Sequence, residues 1–131
     1  MRNFSFLSCE LTCNQRTASA LFKMGQLWHN GRGVRYEPRK ASSAWIAAAA
    51  LNHGHAQSNL GLMFSTGEGT AKNEATGAAF YALAAQQGIA SSAFNIGCIF
   101  AAGSGIARDE PAAVMYWLWS AAAVCEHLSA D

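Results

Sequence analysis

A chain of 131 residues with 51% hydrophobic and 13% charged residues fits one globular domain and is too apolar to remain disordered. Nine Lys+Arg against eight Asp+Glu leave a formal net charge of +1, which removes the general electrostatic pull that nucleic-acid and membrane-surface binders use. Alanine fills 27 positions while Val, Ile and Thr together fill 13, a composition suited to closely packed helices and poor for a sheet.

Residues 1–17 fall outside any periodic pattern and read as an N-terminal extension or cap. Their apolar stretch (Phe4, Phe6, Leu7) is too short for a secretory signal. From Ala18 onward the chain repeats itself every 36 residues. The first unit, about 18–53, predicts a helix over 18–30 from Leu21, Met24 and Trp28, then a second over 38–51 from Ala41, Trp45 and Ala48. The second unit, about 54–89, predicts helices over 54–66 (Leu60, Phe64) and 74–87 (Tyr81, Ala84). The third, about 90–125, predicts helices over 90–102 (Ile96, Phe100) and 110–124 (Ala113, Trp117).

Glycine fixes the register. Gly25, Gly61 and Gly97 share one column, Gly31, Gly67 and Gly103 a second, and Gly33, Gly69 and Gly105 a third, so nine of the 12 glycines lie in three columns. The last two columns form a Gly-x-Gly pair that ends each first helix, because glycine takes the left-handed conformation needed there. Asn52 and Gly88 are expected to end the second helices in the same way. Glu37, Asn73 and Asp109 occupy the N-cap column, with Pro38 and Pro111 in the first turn. The mid-helix glycines each cost about 1 kcal/mol in helix propensity. Close approach of the paired aromatic (Trp45, Tyr81, Trp117) is the expected offset.

The runs Asn59-Leu60-Gly61-Leu62-Met63-Phe64-x-x-Gly67-x-Gly69, Asn95-Ile96-Gly97-Cys98-Ile99-Phe100-x-x-Gly103-x-Gly105 and Lys23-Met24-Gly25-Gln26-Leu27-Trp28-x-x-Gly31-x-Gly33 resemble the Sel1-like repeat family, 36-residue relatives of tetratricopeptide repeats. The resemblance spans about Ala18 to Val124. It implies an all-α right-handed superhelix, a solenoid of three antiparallel helix pairs, and a non-catalytic scaffold that binds proteins or peptides along a concave face lined by the first helices. Some bacterial members carry bridged cysteines in each repeat. Cys98 and Cys125 stand alone in theirs, so no disulfide is carried over.

Asn59 and Asn95 share a column of the first helix, where a carboxamide can hydrogen-bond an extended peptide backbone or a neighbouring helix. Lys23 takes that column in the first copy. These three residues and Trp119 are the candidate ligand-binding positions. Trp119 enters because the stretch from Ala112 to Cys125 carries no charge, and a helix apolar all round is expected to meet another surface: a further repeat, a second copy, or a partner. Too short for a membrane span, this stretch makes a homo-oligomer through the C-terminal helix an expected assembly.

No cofactor and no metal site is expected. His53-Gly54-His55 lies at a turn without a local carboxylate or thiol to complete a ligand set. The basic run Arg32, Arg35, Arg39 and Lys40 reads as a solvated loop. Cys9, Cys13, Cys98 and Cys125 form no C-x-x-C pair, which favours reduced thiols and a cytoplasmic setting. The rival readings are a small hydrolase acting through a thiol or a histidine, and a segment of a longer repeat array.

Overall fold

The computed structural model describes residues 4–31 and 34–129, with side chains over 14–31 and 34–123. Arg32 and Gly33 lie outside the described residues, as do the side chains of Cys9, Cys13, Cys125 and His127. Six helices follow one another: α1 (Phe4–Asn30), α2 (Pro38–Ala50), α3 (Gly54–Thr66), α4 (Glu74–Gln86), α5 (Ala90–Ala102) and α6 (Glu110–Ser129), with no strand among the described residues. α1 packs on α2, α3 on α4 and α5 on α6, and the α2–α3 and α4–α5 contacts join successive pairs.

The helix ends follow the expected chemistry. Gly67 and Gly103 cap α3 and α5 in the left-handed conformation at φ 81° and 72°, and their N–H groups donate to the carbonyls of Met63 and Ile99. Asn52 (φ 66°) and Gly88 (φ 85°) turn the chain between pairs. After each loop the chain is tied back to the helix it left: Glu37, Asn73 and Asp109 donate backbone N–H bonds to the carbonyls of Trp28, Phe64 and Phe100 at 2.9, 2.8 and 2.9 Å. Asn73 and Asp109 also cap α4 and α6, accepting from the N–H of Thr76 and Ala112 at 3.2 and 3.1 Å. Glu37 makes no such bond, and Pro38 opens α2 instead.

Two helices outrun the expected bounds. α1 begins at Phe4 and not near residue 18, because no glycine or proline lies between Phe4 and Met24 to stop it. α6 continues past 124 to Ser129. The repeat columns carry no information about either overhang.

Each mid-helix glycine lies under the ring expected to cover it. A Cβ at Gly61 would stand 2.8 Å from the Tyr81 ring, one at Gly97 would stand 2.5 Å from Trp117 Nε1, and one at Gly25 would collide with the Trp45 indole. The absent side chain is therefore the space the ring fills. Trp45 and Trp117 also donate Nε1–H to the carbonyls of Phe22 and Phe94, at 3.0 and 3.3 Å. Around these contacts sit two apolar clusters. Ala41, Trp45, Ala48, Ala56, Leu60 and Met63 bind the first pair to the second, and Ala78, Tyr81 and Ile96 bind the second to the third.

Overpacking a close contact costs about 1–3 kcal/mol or more, a large part of the roughly 5–15 kcal/mol that holds a small domain folded. Gly61→Leu is therefore expected to lower the melting temperature by at least several degrees, read by circular dichroism during a thermal melt. A variant with full helicity and an unchanged melting temperature would contradict the close packing of Tyr81 on α3.

Candidate interaction surfaces

The groove between α1 and α3 is a cavity of about 140 Å³. Its position follows from the pair geometry. Trp45, pressed on Gly25, closes its floor together with Met63, and the exposed Leu62 and polar side chains of both first helices (Gln26, Asn30, Asn59, Thr66) reach its walls. At the mouth the Glu68 carboxylate accepts the Tyr36 hydroxyl at 2.7 Å and pairs with His29 Nε2 at 2.9 Å. The hydrogen bond to Glu68, then burial, then the charge of Glu68 push the Tyr36 hydroxyl above its ordinary pKa. An apolar floor ringed by carboxamides and one carboxylate suits an extended peptide, whose backbone needs both donors and acceptors.

The four expected ligand-binding residues do not share this groove. Asn59 lines it, and among the described residues its carboxamide has no hydrogen-bond partner. Asn95, in the same register column, faces the Tyr81 hydroxyl, and its carboxamide offsets part of the rise in pKa that burial imposes on that hydroxyl. The divergence comes from the preceding pair. Where Asn95 meets a phenol, Asn59 meets the Trp45 indole, and the one N–H of that ring is already given to Phe22. Lys23 is exposed and lines a separate depression on α1 with Arg16 and Gln15. Trp119 lies against the edge of Tyr116 (centroids 5.5 Å apart) and lines a cavity of about 220 Å³ with Ala85 of α4 and Ala93 of α5. It faces back toward the second pair and not outward from the end of the stack.

His29 and Glu68 line the groove and Tyr36 is bonded to Glu68 at its mouth; sequence reasoning singled out none of the three. Glu68 is the charge inside Gly67-Glu68-Gly69, and only the stacking of pairs brings it to His29. The other expectations fall on bland ground. Lys40 pairs with Glu37 at 3.4 Å and sits over the Trp28 ring, while Arg35 and Arg39 are exposed. Cys98 is a free, exposed thiol. Among the described residues no group of three His, Cys, Asp or Glu side chains could hold a metal ion, and no helix is long and apolar enough to cross a membrane.

His53 and His55 have a structural use. His53 caps α3, its Nδ1 accepting the Ala56 N–H at 3.2 Å, and Phe22 stacks on its ring at 4.7 Å. Burial, then the nearby His55, lowers the His53 pKa. Only the neutral imidazole can accept that bond, so the stability it contributes is full above the ordinary histidine range and is lost as pH falls through the depressed pKa. Thermal melts from about pH 8 to about pH 5 should show a larger fall in melting temperature for the wild type than for His53→Asn, whose cap does not titrate. Equal slopes would contradict the capping role. Asn95→Ala should also lower stability, by about 0.5–1.5 kcal/mol for the lost polar interaction with the Tyr81 hydroxyl, whereas Asn59→Ala should leave the melting temperature unchanged.

Comparisons with known proteins agree with this architecture. A family model described as the Sel1 repeat matches residues 18–43, 54–89 and 90–123. A Sel1 repeat protein from Oxalobacter formigenes superimposes with a TM-score of 0.80 at 28% identity, over 83% of this chain and 45% of that one. The uropathogenic Escherichia coli protective antigen c5321, described as displaying an SLR fold, gives 0.78 at 30% identity, over 79% of this chain and 22% of that one. The chain thus spans less than half the length of either solved structure. A comparison with curated proteins finds no match.

Proposed function

Because the chain belongs to the Sel1 repeat family, whose repeats generally mediate protein interactions, we propose that it is a non-catalytic scaffold. It binds a protein or peptide partner along the concave face of the first helices and presents the apolar C-terminal edge as a second contact surface. The observation that carries this reading is the unpartnered Asn59 carboxamide at the α1–α3 groove. A half-buried amide left without a partner among the described residues is satisfied by water or by a ligand, and an extended backbone supplies both a donor and an acceptor to it. Glu68, held by Tyr36 and His29, adds a fixed negative charge that favours a basic side chain beside the docked backbone.

Selection of a random peptide display library on the immobilised protein tests this. Peptides should be enriched, and Asn59→Ala should weaken the best of them about tenfold, equivalent to about 1.4 kcal/mol, while Asn95→Ala acts on stability first. Failure to enrich any peptide, or an affinity indifferent to Asn59→Ala, would contradict binding at this groove.

A further inference from the structure

The two ends of the stack are unlike, and each lacks what the other holds. In the column that Met24, Leu60 and Ile96 share, Leu60 and Ile96 are 0% and 2% exposed because each packs against the preceding pair, whereas Met24 is 43% exposed. In the column of Ser42, Ala78 and Val114, the first two are 4% exposed beneath the following pair, and Val114 is 52% exposed. The covering ring follows the same rule: Trp45 and Tyr81 are buried, and Trp117 is 37% exposed. The N-terminal edge also carries a socket. Phe80 and Tyr116 stack on Phe64 and Phe100 at 5.6 and 5.7 Å. Ala44 stands where those two rings stand, leaving a depression of about 410 Å³ among Leu21, Met24, Trp28 and Ala47.

We propose that copies of this chain join head to tail, the N-terminal edge of one seated on the C-terminal edge of the next, so that the α2–α3 type of junction recurs between molecules. This rests on the reading of the C-terminal edge as a contact surface and names its occupant. Met24 of one copy takes the place of Leu60 or Ile96 against the exposed Trp117 face of the other, a thioether-to-aromatic contact. Charge agrees with the register. Within the chain, the second loop glycine of one pair lies on the first turn of the preceding pair's second helix, Gly69 against Pro38 and Gly105 against Glu74. The same step between molecules brings Arg35 and Arg39, with Lys40 in its pair with Glu37, toward the first turn of α6, where Asp109 stands beside Glu110 in its pair with Arg108. The overhangs agree too. α1 extends upstream to Phe4, and α6 extends to Ser129, beyond residue 122, the position matching Gln86. In the stacked arrangement both extra lengths fall at the same end, side by side.

A junction between two different surfaces does not close on a pair, which separates it from a symmetric dimer. Sedimentation velocity up to millimolar concentration should show a mass rising past twice the 13.9 kDa of one chain. Met24→Glu and Val114→Glu each spoil one edge at an exposed position, and each alone should be monomeric. Mixed in equal amounts, they should give a dimer and nothing larger, since one good edge of each kind remains. A wild type that stays monomeric overturns the proposal. So does an assembly abolished by Val114→Glu and untouched by Met24→Glu, which would be a symmetric α6–α6 pair. Affinity for groove peptides should be unchanged in both variants. A monomeric wild type that still binds those peptides overturns the stack and leaves the scaffold reading standing.

Discussion

Trp45, Tyr81 and Trp117 each lie on a glycine in the middle of the helix before them, and the separation of the paired helices is set by that contact. A side chain at any of the three glycines would push the ring outward and the second helix with it. The helix propensity lost at glycine, about 1 kcal/mol each, is offset by dispersion and by burial of the ring. With the rings seated, Leu60 and Ile96 find a complementary face on the preceding pair and become the fully buried links of the stack. Everything outward of those links, the groove included, takes its place from them.

Repetition makes the scaffold, and departures from repetition make its surfaces. Tyr81 in place of an indole sets a hydroxyl before Asn95, while Trp45 turns its only donor to Phe22 and leaves Asn59 open to the groove. Ala44 in place of a ring opens the socket beside Trp28. His53 in a column that holds Ile89 in the next pair exchanges an apolar contact for a titrating helix cap. In each case a single substitution within a shared backbone position changes what the surface offers, without altering the path of the chain.

The helix order, the left-handed turns at Asn52 and Gly88 and the glycine–ring contacts were legible in the sequence because each is dictated by backbone conformation or by a fixed 36-residue register. The starting point of α1 was not, since helix growth upstream of residue 18 depends only on the absence of a breaker. The groove was legible in part. Asn59 could be found from its column, but the Tyr36–Glu68–His29 cluster joins residues 32 and 39 positions apart and depends on the rotation between successive pairs. That rotation also decides that Trp119 faces back toward α4 and α5 while Val114 and Trp117 face the open end. A residue's column fixes its position along the helix and not the neighbour that covers it.

Proton NMR in solution tests the ring-on-glycine contact most directly. The Hα protons of Gly25, Gly61 and Gly97 should all be shifted strongly upfield by the currents of the covering rings, with nuclear Overhauser contacts from Gly61 Hα to the Tyr81 ring and from Gly97 Hα to the Trp117 indole. Random-coil glycine shifts at these three positions, or the absence of those ring contacts in a folded and fully helical protein, would contradict it.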